Sequence, residues 1–407
     1  NLPCVIFTHG LSCNHSTVNP FAEELAKRGF AVLSVSTYGS GESETSDMSD
    51  PSYGMYDALQ YVRTLNYVDQ TRIGMIGHSQ GSKNTSAAVD MDSSLLTLND
   101  LKVNILYDTF GQTFTEEEIQ QDADALAENR LTANELSAYK VLAEQAETYF
   151  NTRLKAAVIL GGNWGSEAQD VSVAGYTVVR EPNTNMCYMI STFNEGRAGT
   201  GQQNLSKEEM MAKFQSTTTL QPAQWYALDQ ASNAAAPAST VLGNLFDISY
   251  TGSAALRDAI DSRTTRMIVN QIGGHAKDYF STDSAHYMLK YFEQTLQYNC
   301  GNITDPATVP MSENRLTFLY REACDLLAMF AMFVSIIALA GMLLQTKKFS
   351  DLRMECTEPL STKKSVPFWI AAMLLVLATM FAEYYVATKG PMLGFKSEGL
   401  KHFLSLD

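Results

Sequence analysis

The run Gly77-His78-Ser79-Gln80-Gly81 constrains this chain more than any other feature. It follows an apolar stretch, Ile73 to Ile76, and precedes a helix-compatible stretch, Ser82 to Val89. A serine between small residues at a sharp strand-to-helix turn stands above a sheet at a helix N-terminus, and the pattern is informative only in that setting. The sequence supplies the setting. Val5 to Thr8, Phe21 to Arg28, Ala31 to Ser36, Tyr53 to Leu65 and Ile73 to Ile76 alternate as strand and helix. Such alternation predicts an α/β fold with a mostly parallel sheet, right-handed crossovers and helices on both faces. The strands are near-continuous apolar runs, as burial on both faces requires.

With 407 residues, 45% of them apolar, the chain can bury a large core. A formal net charge of -15 with no basic stripe excludes nucleic acid as a partner. The six cysteines, at 4, 13, 187, 300, 324 and 356, show no CxxC spacing and no paired histidines at ligand intervals, so no metal or other cofactor is expected. Cys4 and Cys13 could pair in an oxidising space; the simpler reading is buried free thiols.

Residues 1–300 read as one domain carrying two insertions. Between Phe110 and Phe150 the chain turns Glu-, Gln- and Ala-rich, with Leu126, Leu131, Leu136 and Leu142 at roughly helical spacing, which predicts a helical cap. Its acidic face reads as a solvated surface. The sheet resumes at Ala156 to Gly162 and again at Met186 to Ser191. Residues 199–245 are polar and read as a second excursion above the sheet. A last strand, Arg266 to Asn270, leads to Gly273-Gly274-His275, and a helix is expected from Ser284 to Tyr298.

A linker over 301–325 precedes two apolar segments. Leu326 to Leu344 has no charge, and Pro367 to Ala387 is broken only by Glu383. Each can cross a hydrocarbon layer of about 30 Å, and both are read as membrane spans rather than core helices. The loop between them, 345–366, carries Lys347, Lys348, Arg353, Lys363 and Lys364, which by the positive-inside bias makes it cytoplasmic. Trp369 and Tyr384-Tyr385 suit the interfacial belts of the second span. The domain is then expected outside the cytoplasm, anchored in a cell membrane, with an export signal or span upstream of Asn1. Residues 388–407 read as a tail whose continuation is missing.

A serine hydroxyl needs a base to accept its proton and a third group to orient that base. Of six histidines, His9 and His78 sit at strand ends, His15 in an early loop, His286 within a helix and His402 beyond the spans. His275 remains, after a strand and two glycines and downstream of Ser79, as the elbow pattern demands. The acid is expected between them: Glu195, just past the strand Met186 to Ser191, is first choice and Asp247 the rival. A tetrahedral intermediate needs preorganised donors, each worth about 3 to 4 kcal/mol. The N–H groups of Gln80, after the serine, and of Leu11, in the loop after the first strand, are the candidates.

These residues resemble the α/β-hydrolase superfamily, in particular its dienelactone-hydrolase-like and acyl-peptidase-like esterase branches. The carriers are His9-Gly10, Tyr38-Gly39-Ser40-Gly41-Glu42-Ser43, Asp69 to Gly74 leading into the elbow, and Gly274-His275, so the likeness spans roughly residues 3 to 298. More narrowly, the chain resembles bacterial multi-pass membrane proteins with such a domain ahead of their spans. Two departures stand out: Ser36-Thr37-Tyr38-Gly39 where relatives often read Asp-x-x-Gly, and Asn194-Glu195 where an Asp is usual. The resemblance implies a membrane-anchored serine hydrolase acting on a small ester, or on an amide or short peptide. Acyl transfer by the same residues and a non-catalytic binding module are the alternatives.

Overall fold

The computed structural model describes residues 1–44, 49–93, 95–162, 169–193, 221–228, 238–297, 315–353, 370 and 373–374. Ten strands occur among them: β1 (Leu2–Thr8), β2 (Ala31–Val35), β3 (Val68–His78), β4 (Ala156–Leu160), β5 (Gln169–Val173), β6 (Tyr176–Arg180), β7 (Asn185–Phe193), β8 (Gln224–Leu228), β9 (Ala238–Asn244) and β10 (Thr265–Gly274). Eight form one sheet in the order β2-β1-β3-β4-β7-β10-β8-β9. The first six run parallel, and β8 and β9 close one edge antiparallel.

Side chains alternate along each strand, so consecutive residues feed different cores. Val5 and Phe7 of β1 join Ile76, Val158, Met189 and Val269 in one core. Helices α1 (Asn19–Ala26) and α8 (Thr282–Thr295) cover it through Phe21, Leu25, Met288 and Phe292. Cys4 and Ile6 point the other way, into a core closed by α2 (Met55–Arg63) and α3 (Gln80–Asp92) through Leu59, Val62, Ala88 and Val89. Each fully buried side chain of this kind contributes about 1.5 to 3 kcal/mol. Cys4 and Cys187 are buried free thiols and Cys13 is free at the surface of the fold; burial pushes the Cys4 thiol up to about 12.

The helical insertion is longer than its Leu pattern suggests and lies elsewhere. It holds α4 (Leu98–Phe110), α5 (Ala123–Arg130), α6 (Ala133–Asn151) and the β5–β6 hairpin around a core of its own, built from Val103, Leu106, Ile119, Tyr139 and Val178. Because α3 runs back from the elbow, whatever follows it starts at the opposite, N-terminal edge of the sheet. Asp92 there accepts from Arg63 and from the Leu154 N–H at 2.6 Å, just ahead of β4. Asp100 pairs with Arg180, both buried. A cleft of about 890 Å³ opens between the insertion and this edge, lined by Asp100, Glu147, Arg180, Asp261 and Thr264 among others; neither Ser79 nor His275 reaches it.

The apolar helix α9 (Phe318–Leu343) begins ahead of Leu326, where its uncharged run starts. Its 26 residues span about 39 Å at 1.5 Å per residue; Phe318 at its start is buried, and an 18-residue window within it has a mean hydropathy of 2.5 with none of its residues buried. It is long and apolar enough to cross a membrane. Its first turn belongs to the sheet-bearing unit, which runs to Leu326. The buried Glu24 carboxylate accepts from Thr317 N (2.7 Å), Thr317 Oγ1 (2.8 Å) and Phe318 N (2.8 Å), supplying acceptors for the free N–H groups of a helix start. Arg28 holds Glu24 at 2.6 Å and the Arg315 carbonyl at 3.0 Å. Burial alone would raise the Glu24 pKa; the hydrogen bonds from Arg28 and Thr317 outweigh it and the net shift is downward. The second apolar segment, apart from residues 370, 373 and 374, lies outside the described residues.

Candidate active site

Ser79 joins β3 to α3 with φ 55° and ψ -114°, a conformation no regular element uses and one that costs about 1 to 3 kcal/mol. Its flanking glycines make the turn possible. A β-carbon at Gly77 would stand 2.1 Å from the Gly81 carbonyl oxygen, and one at Gly81 would stand 2.5 Å from the His9 carbonyl oxygen. Neither obstacle can yield, because both are backbone. The Ser79 N–H donates to Leu160 O at 2.9 Å, tying the elbow to the end of β4. Ser79 is partly exposed at the head of a 13-residue helix.

The two proposed oxyanion donors flank the serine. Gln80 opens α3, so its N–H has no intrahelical acceptor. Leu11 lies in the loop after β1 with its side chain exposed, and among the described residues neither N–H meets a protein acceptor. Gly10, beside it, approaches so closely that a β-carbon there would lie 3.2 Å from Ser79 Cβ. The Gly10 N–H is committed elsewhere, donating to the Tyr279 hydroxyl at 2.7 Å. His9 braces the same loop: its Nδ1 donates to Gly10 O at 2.8 Å while Nε2 accepts from Thr37 N at 3.2 Å. Burial lowers its pKa, and this bonding pattern needs the neutral ring.

His275 opens a short 3₁₀ helix of two turns, His275–Phe280, at the end of β10, and keeps 22% of its side chain exposed. Its ring stacks on that of His78, the residue before the serine, with centroids 4.5 Å apart. Tyr279 packs against His78 at 4.1 Å. One more group converges here that the sequence reading did not single out. Asp278, 1% exposed, places Oδ2 3.6 Å from His275 Nδ1 and 3.2 Å from His78 Nε2. Its other oxygen accepts from Ser191 Oγ and from Gln271 Nε2. Burial raises the Asp278 pKa; hydrogen bonds from His275, His78 and Ser191 outweigh that and hold it below the usual carboxylate value. Burial lowers the His78 pKa despite the Asp278 hydrogen bond, so His78 is neutral and donates through Nε2. The signal in the sequence was the spacing His275-x-x-Asp278: residues three apart eclipse each other in a 3₁₀ turn.

The ring nitrogens of His78 and His275 and the Asp278 carboxylate lie within 4.8 Å of one another, close enough for a cation. Hydrogen bonding already accounts for that density. Of the two acids named from sequence, Glu195 lies outside the described residues, and Asp247 is exposed on the turn after the edge strand β9. The structure brings Ser79, Gln80, Leu11 and His275 to the C-terminal edge of the sheet.

No family model matches the chain. Among curated proteins it is 30% identical over 108 residues to the Escherichia coli (strain K12) "Uncharacterized protein YcjY", covering 25% of this chain and 35% of that protein. The chain thus spans about a third of the length of the curated relative it matches. Similar solved structures include DcsB in complex with its substrate analogue, at 12% identity and TM-score 0.33, covering 74% of this chain and 92% of that one. The Bacillus cereus carboxylesterase follows at 12% identity and TM-score 0.32, covering 72% and 89%. Est1E from Butyrivibrio proteoclasticus with bound ferulic acid is 14% identical at TM-score 0.31, covering 72% and 90%. The sheet order, the strained elbow at Ser79 and the histidine turn that ends β10 give the chain an α/β fold with a mostly parallel sheet, similar in architecture to these hydrolases.

Proposed function

We propose that the chain is a membrane-anchored serine hydrolase that cleaves a carboxylic ester, or an amide or short peptide, through an acyl-enzyme. The observation that carries this reading is the elbow: a serine held at φ 55° between two glycines that no other residue can replace, at the head of a helix. Strain of this kind persists only where the surrounding structure maintains it. In the first step Ser79 Oγ attacks the carbonyl carbon while its proton passes to His275 Nε2. The oxyanion sits between the N–H groups of Leu11 and Gln80. Collapse expels the alcohol or amine, which takes the proton from His275. Water then attacks the acyl-serine with His275 as base, releasing the acid and restoring the serine. A carboxylate must face His275 Nδ1; Glu195 is the candidate by strand order, and Asp278 is the one within reach among the described residues.

The helix α9 supports the anchoring, since an uncharged stretch exposed all round suits lipid rather than a core. With 367–387 as a second span and the basic loop between them cytoplasmic, the hydrolase domain faces the extracytoplasmic side. An ester panel of graded acyl length tests the activity. Turnover should peak at one acyl length and fall about 10⁶-fold in Ser79→Ala; a folded wild type that turns over no ester, amide or short peptide contradicts the reading.

A further inference from the structure

We infer that Asp278, rather than a residue past β7, is the carboxylate that orients His275. The inference rests on the serine-hydrolase reading and names a positioning residue within it. The 3₁₀ turn after β10 places residues three apart on one side, so Asp278 faces the residue that opens the turn. Its Oδ2 lies 3.6 Å from His275 Nδ1. A proton carried on Nδ1 and facing that oxygen would leave Nε2 as the bare nitrogen, as proton transfer from Ser79 requires. Every other contact holds the carboxylate in place: His78 Nε2 at 3.2 Å, Gln271 Nε2 at 2.5 Å and the Ser191 hydroxyl. All are donors, and only an ionised carboxylate can accept from each. The end of β4 leaves room for the pair, since a β-carbon at Gly161 would stand 2.4 Å from Asp278 Oδ2 and 2.9 Å from His275 Nδ1.

The arrangement departs from the order serine, acid, histidine, because the acid follows the histidine in the chain. It also gives His78 a task. Stacked on His275 and bonded to the same oxygen, His78 stiffens both partners while its own burial keeps it uncharged. Among the described residues, the titratable groups facing the pair are His78 from the end of β3 and Tyr279 from the turn itself.

The test uses the full chain in detergent and follows the rate of fluorophosphonate labelling against pH, with circular dichroism to establish folding. Asp278→Asn should lower the labelling rate about 10³- to 10⁴-fold at neutral pH. Asp278→Glu should restore part of the rate, which a merely structural loss would not. Glu195→Gln, which removes the rival acid and leaves the Asp278 cluster intact, should lower the labelling rate far less than Asp278→Asn does. A folded Asp278→Asn that labels at the wild-type rate, or a folded Glu195→Gln that loses about 10³-fold, overturns the assignment. Wild type that does not label at all overturns the serine-hydrolase reading and this one with it.

Discussion

Ser79 is the residue at which the chain commits its strain, and the cost of that strain is legible in its neighbours. Gly77→Ala drives a β-carbon to 2.1 Å from the Gly81 carbonyl oxygen, where only the backbone can move. It should destabilise the domain by about 3 kcal/mol or more, read as a shift in the urea midpoint. Tyr279→Phe asks a subtler question. The Gly10 N–H would lose its acceptor at 2.7 Å, which should cost about 1 to 3 kcal/mol and loosen the loop that carries Leu11. We therefore expect a lower kcat with KM nearly unchanged; a variant with wild-type stability and kcat would mean that the Gly10–Tyr279 bond is dispensable.

At the scale of elements, the elbow and the strand order were readable because period and composition announce them. Apolar runs bounded by glycines marked β1, β2, β3, β4, β7 and β10, and the structure moves most of their limits by only a few residues. The insertion extends beyond the stretch its leucine spacing marks, for identifiable reasons. Its first helix begins at Leu98 behind the capping box Thr97-x-x-Asp100, a local signal that the leucine spacing further on overshadowed. Its placement at the N-terminal edge follows from the direction of α3, which no local pattern encodes. Arg180→Leu should accordingly destabilise the fold by about 3 to 5 kcal/mol, by stranding buried Asp100, yet leave the acyl-length preference of the active site unchanged. Asp278 escaped notice because the sequence after His275 carries no signal for the short 3₁₀ helix that brings the two residues to one side. The start of α9 escaped it too: Arg321, Glu322 and Asp325 interrupt hydrophobicity exactly where the helix is clasped by α1. Arg28→Leu takes from buried Glu24 its 2.6 Å ion pair and leaves only its hydrogen bonds from Thr317 and Phe318, and thermal unfolding should show a loss of about 3 kcal/mol.

For the whole molecule, two buried histidines couple folding to pH. His9 and His78 both have folded pKa values below the ordinary 6.5, so the unfolded chain binds their protons more readily. Stability should be full above about pH 6.5 and decline as pH falls from there toward the folded values, with a limiting slope of about 1.4 kcal/mol per pH unit for each histidine. Glu24 and Asp278, whose pKa values are depressed, add a second loss as pH drops below the ordinary 4.5 and 3.8. Chemical denaturation between pH 7 and 5 should show the first decline, and a flat profile there would contradict neutral burial of both rings. The exposed apolar helix gives a further expectation: the chain should stay with the membrane through alkaline carbonate extraction, and release into the supernatant would contradict anchoring.

The central claim is that Ser79 is a nucleophile activated by His275. Mass spectrometry of the full chain after fluorophosphonate treatment tests it most directly, because the probe forms a stable covalent adduct only with an activated serine. The account predicts one adduct per chain, located on the peptide containing Ser79 and absent from Ser79→Ala and His275→Gln. A folded wild type that takes up no probe, or an adduct that persists in Ser79→Ala, would contradict it.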